Sequence, residues 1–325
     1  MKNTFFRTVN KYQKMITCFN SSNKVEFIFK SALFMQKKFL TSSAQVLALR
    51  EGAVIKHLIP VLPKSCALSV NVPIHYGMSA NDFREQVLFN KTLSNAEIIP
   101  LFQLLLSMVK NLKHIHNAGI IHNDIKLQNI IVCPEMFSNS DTLHWHANII
   151  DFESSRFILE KDQAYFVRDL GYVAPEILKK ETSDYTSDIY SLGICFLRLL
   201  YAERFSNKKI HQGNFSDLEL NLARFNLNLF AQKELKNLLA DMLSVKPKCR
   251  PSLNEIEERL NQIYCMSFFH TYQVGTTLIR NMGQKELQLK GMALSGFNFD
   301  NYDLFSHHYH QHSANCDLGS VMMKV

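Results

Sequence analysis

The sequence predicts an α+β fold in which a small β-rich region carrying one helix precedes a larger region built mostly of helices. Three observations predict it. Between about 15 and 75, short segments rich in β-branched and aromatic residues repeat with the period of strands. From Asp82 onward, apolar residues instead recur at helical spacing. The composition, 46% hydrophobic and 20% charged over 325 residues, suits one large two-lobed domain or two ordinary ones and excludes disorder, collagen or a coiled coil as the main architecture.

In the first region, Ile16 to Phe19, Val25 to Phe29, Ala32 to Lys38 and Cys66 to Ile74 read as strands. Ser42 to Leu58 interrupts them as a helix, with Ser42 and Ser43 as cap candidates and Val46, Leu47, Leu49, Val54, Ile55 and Leu58 at helical spacing. In the second region, Glu97 to His116 is a buried helix with a stripe of Leu101, Leu104, Leu105, Met108, Leu112 and Ile115. Two short apolar strands, Ile130 to Val132 and Asn148 to Ile150, are separated by a polar loop from Pro134 to Trp145. Further helices are expected over Ser187 to Tyr201, Gln232 to Leu243 and Leu253 to Tyr264. From Cys265 the periodicity weakens, and the histidines at 307, 308, 310 and 312 read as a His-rich tail without the spacing of a metal site.

Lys and Arg exceed Asp and Glu by 36 − 29 = 7. That mild excess is spread along the chain, suits phosphate-bearing ligands and does not point to nucleic acid. Seven scattered cysteines, none in a C-x-x-C pair, indicate neither a disulfide framework nor a zinc site and place the chain in a reducing, cytoplasmic or other intracellular compartment. No signal peptide or membrane span is read: the longest apolar-rich segment, Ile98 to Val109, is broken by Pro100, Gln103 and Ser107.

The chemistry concentrates in His122-Asn123-Asp124-Ile125-Lys126-Leu127-Gln128-Asn129, just before the first apolar strand. Asp124 can accept a proton from a hydroxyl, Lys126 can neutralise a transferring phosphoryl group, and Asn129 offers an oxygen to a magnesium ion. Asp151-Phe152-Glu153, directly after the second strand, supplies a second metal ligand in Asp151. In this order the two motifs resemble the catalytic and metal-binding loops of eukaryotic protein kinases. The resemblance continues in Val173-Ala174-Pro175-Glu176, which is similar to the family's A-P-E segment, and in Ser187 to Gly193, similar to the start of its central helix. Arg250 matches the late arginine that pairs with the A-P-E glutamate, so a buried Glu176–Arg250 pair is implied.

The resemblance implies a bilobal kinase-like domain over residues 12–264, with a β-rich small lobe over about 12–76 and a helical large lobe over about 77–264. An extension, 1–11, precedes it and a weakly patterned tail, 265–325, follows. It further implies ATP and Mg2+ as cofactors and a protein substrate; from the charge distribution and the lack of an apolar span, no nucleic acid or membrane partner is expected. In the small lobe the nucleotide-covering hairpin would be Cys18 to Val25, which has no glycine; Asn20 and Asn23 can still turn the chain, and Val25 would follow. Lys37 is preferred over Lys38 as nucleotide anchor, because strand alternation puts Met35 and Lys37 on one face, and Lys30 is a third candidate. Its partner would be Glu51, on the same helical face as Ile55 and Leu58. The short stretch between Leu58 and a hinge near His75 to Met78 would compress two strands, and Asp82 beyond it could meet the ribose.

Three residues depart from the family pattern. Asn123 stands where an arginine usually reads an activation-loop phosphate, Glu153 replaces a glycine, and Asp169 replaces the threonine of Ser/Thr-directed members, where it could pair with Lys126 or repel Asp124. The leading reading is a protein serine/threonine kinase with Asp124 and Lys126 catalytic and Asn129 and Asp151 binding metal. The alternative is a pseudokinase that scaffolds or regulates a partner, motivated by the missing glycines and Glu153. A small-molecule phosphotransferase is disfavoured by Glu176 and Arg250.

Overall fold

The computed structural model describes residues 15–19, 24–29, 34–39, 45–62, 65, 68–73, 75, 77–88, 95–136, 143–160, 169–179, 181–200 and 227–279. The chain divides into two units, Met1–His270 and Thr271–Val325, and the functional side chains lie in the first.

Four antiparallel strands, β1 (Met15–Phe19), β2 (Lys24–Phe29), β3 (Phe34–Phe39) and β4 (Ser69–Pro73), form one sheet in sequential order. The register sets Lys37 opposite Phe27 on one side and Val70 on the other. Alternation then does what the sequence requires: Lys37 is buried and Lys38 exposed. Helix α1 (Gln45–Leu58) buries Leu47, Ala48, Glu51, Val54, Ile55 and Leu58, a single stripe at three- and four-residue spacing, so Glu51 rides on the face that packs inward.

A short strand, β5 (Met78–Ser79), joins β7 (Ile130–Met136) and β8 (Leu143–Ile149) in a second sheet of order β5-β7-β8. Gly77 lies so close to β7 that a Cβ there would sit 2.1 Å from the Val132 carbonyl oxygen, which explains the glycine. Between β5 and β7 come α2 (Ala80–Phe83), a single π turn (Arg84–Leu88), the long α3 (Asn95–Asn117) and β6 (Ile120–Ile121). The expected stripe of α3 is fully inside. Its polar Ser107 and Asn111, one turn apart, accept from the backbone N–H groups of Ala147 and Ile149, and so satisfy the outer edge of β8. Gly119, at φ +76°, ends the helix by turning the chain into β6.

β6 pairs with β9 (Arg156–Phe157). The helices α4 (Pro175–Leu178), α5 (Tyr185–Leu200), α6 (Leu229–Met242) and α7 (Leu253–Ile279) follow. In α5 the run from Ser187 to Tyr190 and most of Leu192 to Leu200 are buried. Gly193 allows α6 to approach it: a Cβ there would be 3.0 Å from that of Met242. None of the described helices is long and apolar enough to cross a membrane.

Several elements differ from expectation. Among the described residues one strand, β4, stands between α1 and the hinge where two were expected. Pro134 to Met136 and Leu143 to Trp145 are not loop but the paired ends of a β7–β8 hairpin, with Pro134 opposite Trp145. The Trp145 ring packs edge-on against Phe83 at 4.9 Å, so tertiary packing extends strands that the polar sequence alone does not support. The last helix continues to Ile279 rather than stopping at Tyr264. The extension 1–11 and the His cluster at 307–312 lie outside the described residues.

Candidate active site

The 122–129 loop connects β6 to β7 and is held from below by α5. Asp188, buried in that helix, accepts the backbone N–H groups of His122 at 2.7 Å and Asn123 at 2.9 Å, and meets His116 Nε2 at 3.0 Å. The His122 ring accepts from the Asp124 N–H at Nδ1 (3.3 Å) and lies 3.2 Å from the Ile150 carbonyl at Nε2, an arrangement that selects the Nε2-protonated neutral form. Burial lowers its pKa below the ordinary histidine value, against the attraction of Asp188 and Asp124.

This scaffold presents Asp124. Its Oδ2 accepts from Lys126 Nζ at 2.7 Å and from Asn129 Nδ2 at 2.9 Å, and Asn129 Nδ2 also reaches the Asp124 carbonyl. Burial raises the Asp124 pKa, with Lys126 opposing. Since the Asn129 amide nitrogen is committed to Asp124, its oxygen is the atom left to face a cation. Lys126 pairs with Asp124, and the expected alternative contact with Asp169 is replaced by a local one: Asp169 Oδ1 accepts the Gly171 N–H at 2.9 Å.

Asp151 follows β8 in the left-handed region, at φ 69°. A 3-10 turn, Phe152–Ser154, carries the chain on, with the Phe152 ring 5.0 Å from that of His122. Two hydrogen bonds tie the turn to the 122–129 loop: Asn123 Nδ2 donates to the Ser154 carbonyl at 3.1 Å, and Ser155 Oγ donates to that of His122 at 3.1 Å.

Lys37 reaches this turn from the other sheet. Its Nζ lies 3.0 Å from Glu51 Oε2, 3.0 Å from Asp151 Oδ1 and 2.5 Å from Glu153 Oε1. Burial alone would lower the Lys37 pKa, but Asp151, Glu51 and Glu153 together raise it above the ordinary lysine value, so it stays charged. Burial pushes Glu51 up to about 7, against the opposing pull of Lys37.

The structure thus brings together Lys37, Glu51 and Asp151, and separately Asp124, Lys126 and Asn129. Asp82 is exposed and takes part in the N-terminal cap of α2, where Ser79 Oγ donates to it at 2.7 Å. Asn20, Asn23 and Lys30 lie outside the described residues, and Val25 is placed by its backbone alone, opposite Cys18 and Phe39. Asp188 and His116 were not singled out by sequence reasoning as parts of the site. The signal for Asp188 was present, since a carboxylate inside an apolar helix is rare unless it has partners. At the base of the domain, Glu176 and Arg250 form a buried bidentate pair, at 2.6 and 2.7 Å, with Ser187 Oγ also donating to Glu176.

This is the loop architecture of a phosphotransferase, and the comparisons agree. The model of the protein kinase domain matches residues 69–264, and the chain belongs to the protein kinase family. Serine/threonine-protein kinase PSK2 of Saccharomyces cerevisiae is 27% identical over 192 residues, 58% of this chain and 16% of that protein. Probable serine/threonine-protein kinase nek3 of Dictyostelium discoideum is 30% identical over 189 residues, 54% of this chain and 15% of its own. Serine/threonine-protein kinase Nek8 of Danio rerio is 30% identical over 172 residues, 51% and 22%. The chain therefore spans less than a quarter of the length of these relatives.

Proposed function

We propose that residues 12–264 form an ATP-dependent protein kinase domain that transfers the γ-phosphoryl group to Ser or Thr hydroxyls of protein substrates. The observation that carries this reading is the reach of Lys37: one buried ammonium, 3.0 Å from both Glu51 and Asp151, links the small sheet, α1 and the 151–154 turn. Ser/Thr direction is supported by Lys126, two residues after Asp124 as in that class, and by the names of the relatives.

The residues fit the implied cofactors. Asn129 and Asp151 offer hard oxygen donors of the kind magnesium prefers, and both would hold it. Magnesium, when bound, supplies charge neutralisation to the triphosphate. Lys37 would hold nucleotide phosphates, with Glu51 fixing its direction, while Asn20, Asn23 and Val25 would cover them and Asp82 would meet the ribose. Asp124 accepts the hydroxyl proton as the new O–P bond forms and the bond to the leaving diphosphate breaks; its raised pKa makes it the better base. Lys126, beside it, faces the negative charge on the transferring group.

The test is phosphate transfer from radiolabelled ATP to a generic Ser/Thr protein substrate, together with a magnesium-dependent thermal shift by ATP. Transfer above the level of Asp124→Asn supports the kinase. The second reading, a pseudokinase acting as scaffold or regulator, is favoured by the carboxylate of Glu153 on Lys37; nucleotide binding without transfer, or neither, would select it.

A further inference from the structure

We propose that Glu153 competes with the phosphates of a bound nucleotide for Lys37, so that this chain holds nucleotide more weakly than the same site would with a neutral residue at 153. The inference rests on the reading of Lys37 as the nucleotide anchor. An ammonium has three N–H donors. Around Lys37 stand three carboxylates, Glu51 at 3.0 Å, Asp151 at 3.0 Å and Glu153 at 2.5 Å, one for each donor. A phosphate oxygen must displace one of them to bond Lys37.

Glu153 is the one to be displaced. Glu51 is anchored on the inward face of α1, its side chain 1% exposed. Asp151 is itself one of the residues that would hold magnesium, so its carboxylate has a second charge to neutralise. That leaves Glu153, which makes the shortest contact, and its side chain is 4% exposed, so its charge is poorly screened by solvent. The same burial makes the contact strong, because a charge-assisted bond is worth more where water is excluded. Phosphates therefore meet an ammonium already neutralised and a site with an excess of negative charge.

A purely structural role for Glu153, bracing the 151–154 turn against Lys37, has the opposite consequence: its removal would loosen the anchor and weaken nucleotide binding. Titration calorimetry of the full chain with a non-hydrolysable ATP analogue and, separately, with adenosine distinguishes the two. Glu153→Gln keeps the shape and removes the charge; Glu153→Gly removes the side chain. Thermal melts confirm that both are folded. Competition predicts that Glu153→Gln binds the analogue about tenfold more tightly than the wild type, while adenosine, which has no phosphate, binds unchanged. An unchanged or weaker affinity of Glu153→Gln for the analogue overturns the inference, as does an equal gain for adenosine. Wild-type binding of the analogue with no gain in the variant leaves the nucleotide reading standing and sinks this one alone. Absence of analogue binding in every form removes both.

Discussion

Asn123 and Asp151 are the two non-glycine residues among those described with φ in the left-handed region, 64° and 69°, and their side chains tolerate it better than most. Both backbones are bent where a side chain must be aimed: Asn123 at Ser154, Asp151 at Lys37. Asp151→Asn and Asp124→Asn should each abolish phosphotransfer without unfolding the chain, because each keeps the size and one acceptor oxygen and removes a charge the reaction needs. Magnesium-dependent nucleotide binding separates them: it should weaken in Asp151→Asn and persist in Asp124→Asn. Transfer at the wild-type rate in either variant would refute the assignment of that residue. His122 carries a pH prediction. Its pKa in the folded chain lies below the ordinary 6.5, so below pH 6.5 the unfolded chain binds the proton more readily and stability falls as pH drops. His122→Asn keeps an acceptor for the Asp124 N–H, and its melting temperature should fall less steeply over that acid range than the wild type's.

Between elements, the Glu176–Arg250 pair pins α4 to the turn that precedes α7, and Arg250 also donates to the carbonyls of Ser244 and Thr186. Arg250→Ala strands a buried carboxylate and should cost about 3 kcal/mol in chemical denaturation. Adding Glu176→Gln should recover part of that loss, since the stranded charge is then gone; an unchanged stability of Arg250→Ala would mean that the pair contributes nothing. How much of this level was legible follows from the range of the forces. The stripes of α1 and α3 are local periodicities, and they placed Glu51 inward and the α3 leucines in the core. Lys37 could be chosen over Lys38 because strand alternation is equally local. The extent of the β7–β8 hairpin was not legible, since it depends on Phe83 receiving Trp145. Nor was the grip of Asp188 on the backbone of His122 and Asn123, across 66 and 65 residues of sequence, since backbone donors leave no trace in side-chain identity. Glu153 could be seen as an intruder in the metal-binding motif, but its contact with Lys37, 116 positions away, is a product of the fold.

At the scale of the whole molecule, the elements that carry the chemistry are joined by contacts that need no modification. The 151–155 turn is tied to the 122–129 loop by Asn123 and Ser155 and to the small sheet by Lys37. The next residue, Arg156, is buried and donates to Ser183 Oγ at 3.3 Å, to the Ser183 carbonyl and to the Glu160 carbonyl at 3.2 Å, so it holds the start of the following segment against the loop before α5. Further on, Arg198 stacks 4.1 Å over the Tyr172 ring and donates to the Gly171 carbonyl at 3.2 Å. Where an arginine at 123 would need a phosphate to settle its charge, Asn123 makes a neutral hydrogen bond to the same turn and has no charge with which to hold one. Ordering by phosphate would have to outdo contacts that are already made. Activity should therefore be independent of phosphorylation of the 152–173 segment, although Ser154, Ser155, Tyr165 and Tyr172 offer hydroxyls. Phosphatase-treated protein should phosphorylate a generic Ser/Thr substrate as fast as material purified from cells. In Asn123→Ala, which removes the hydrogen bond to Ser154, the rate should fall in both preparations alike. A large loss on phosphatase treatment of the wild type would show that a basic side chain other than residue 123 reads a phosphate in that segment, and would refute the prediction.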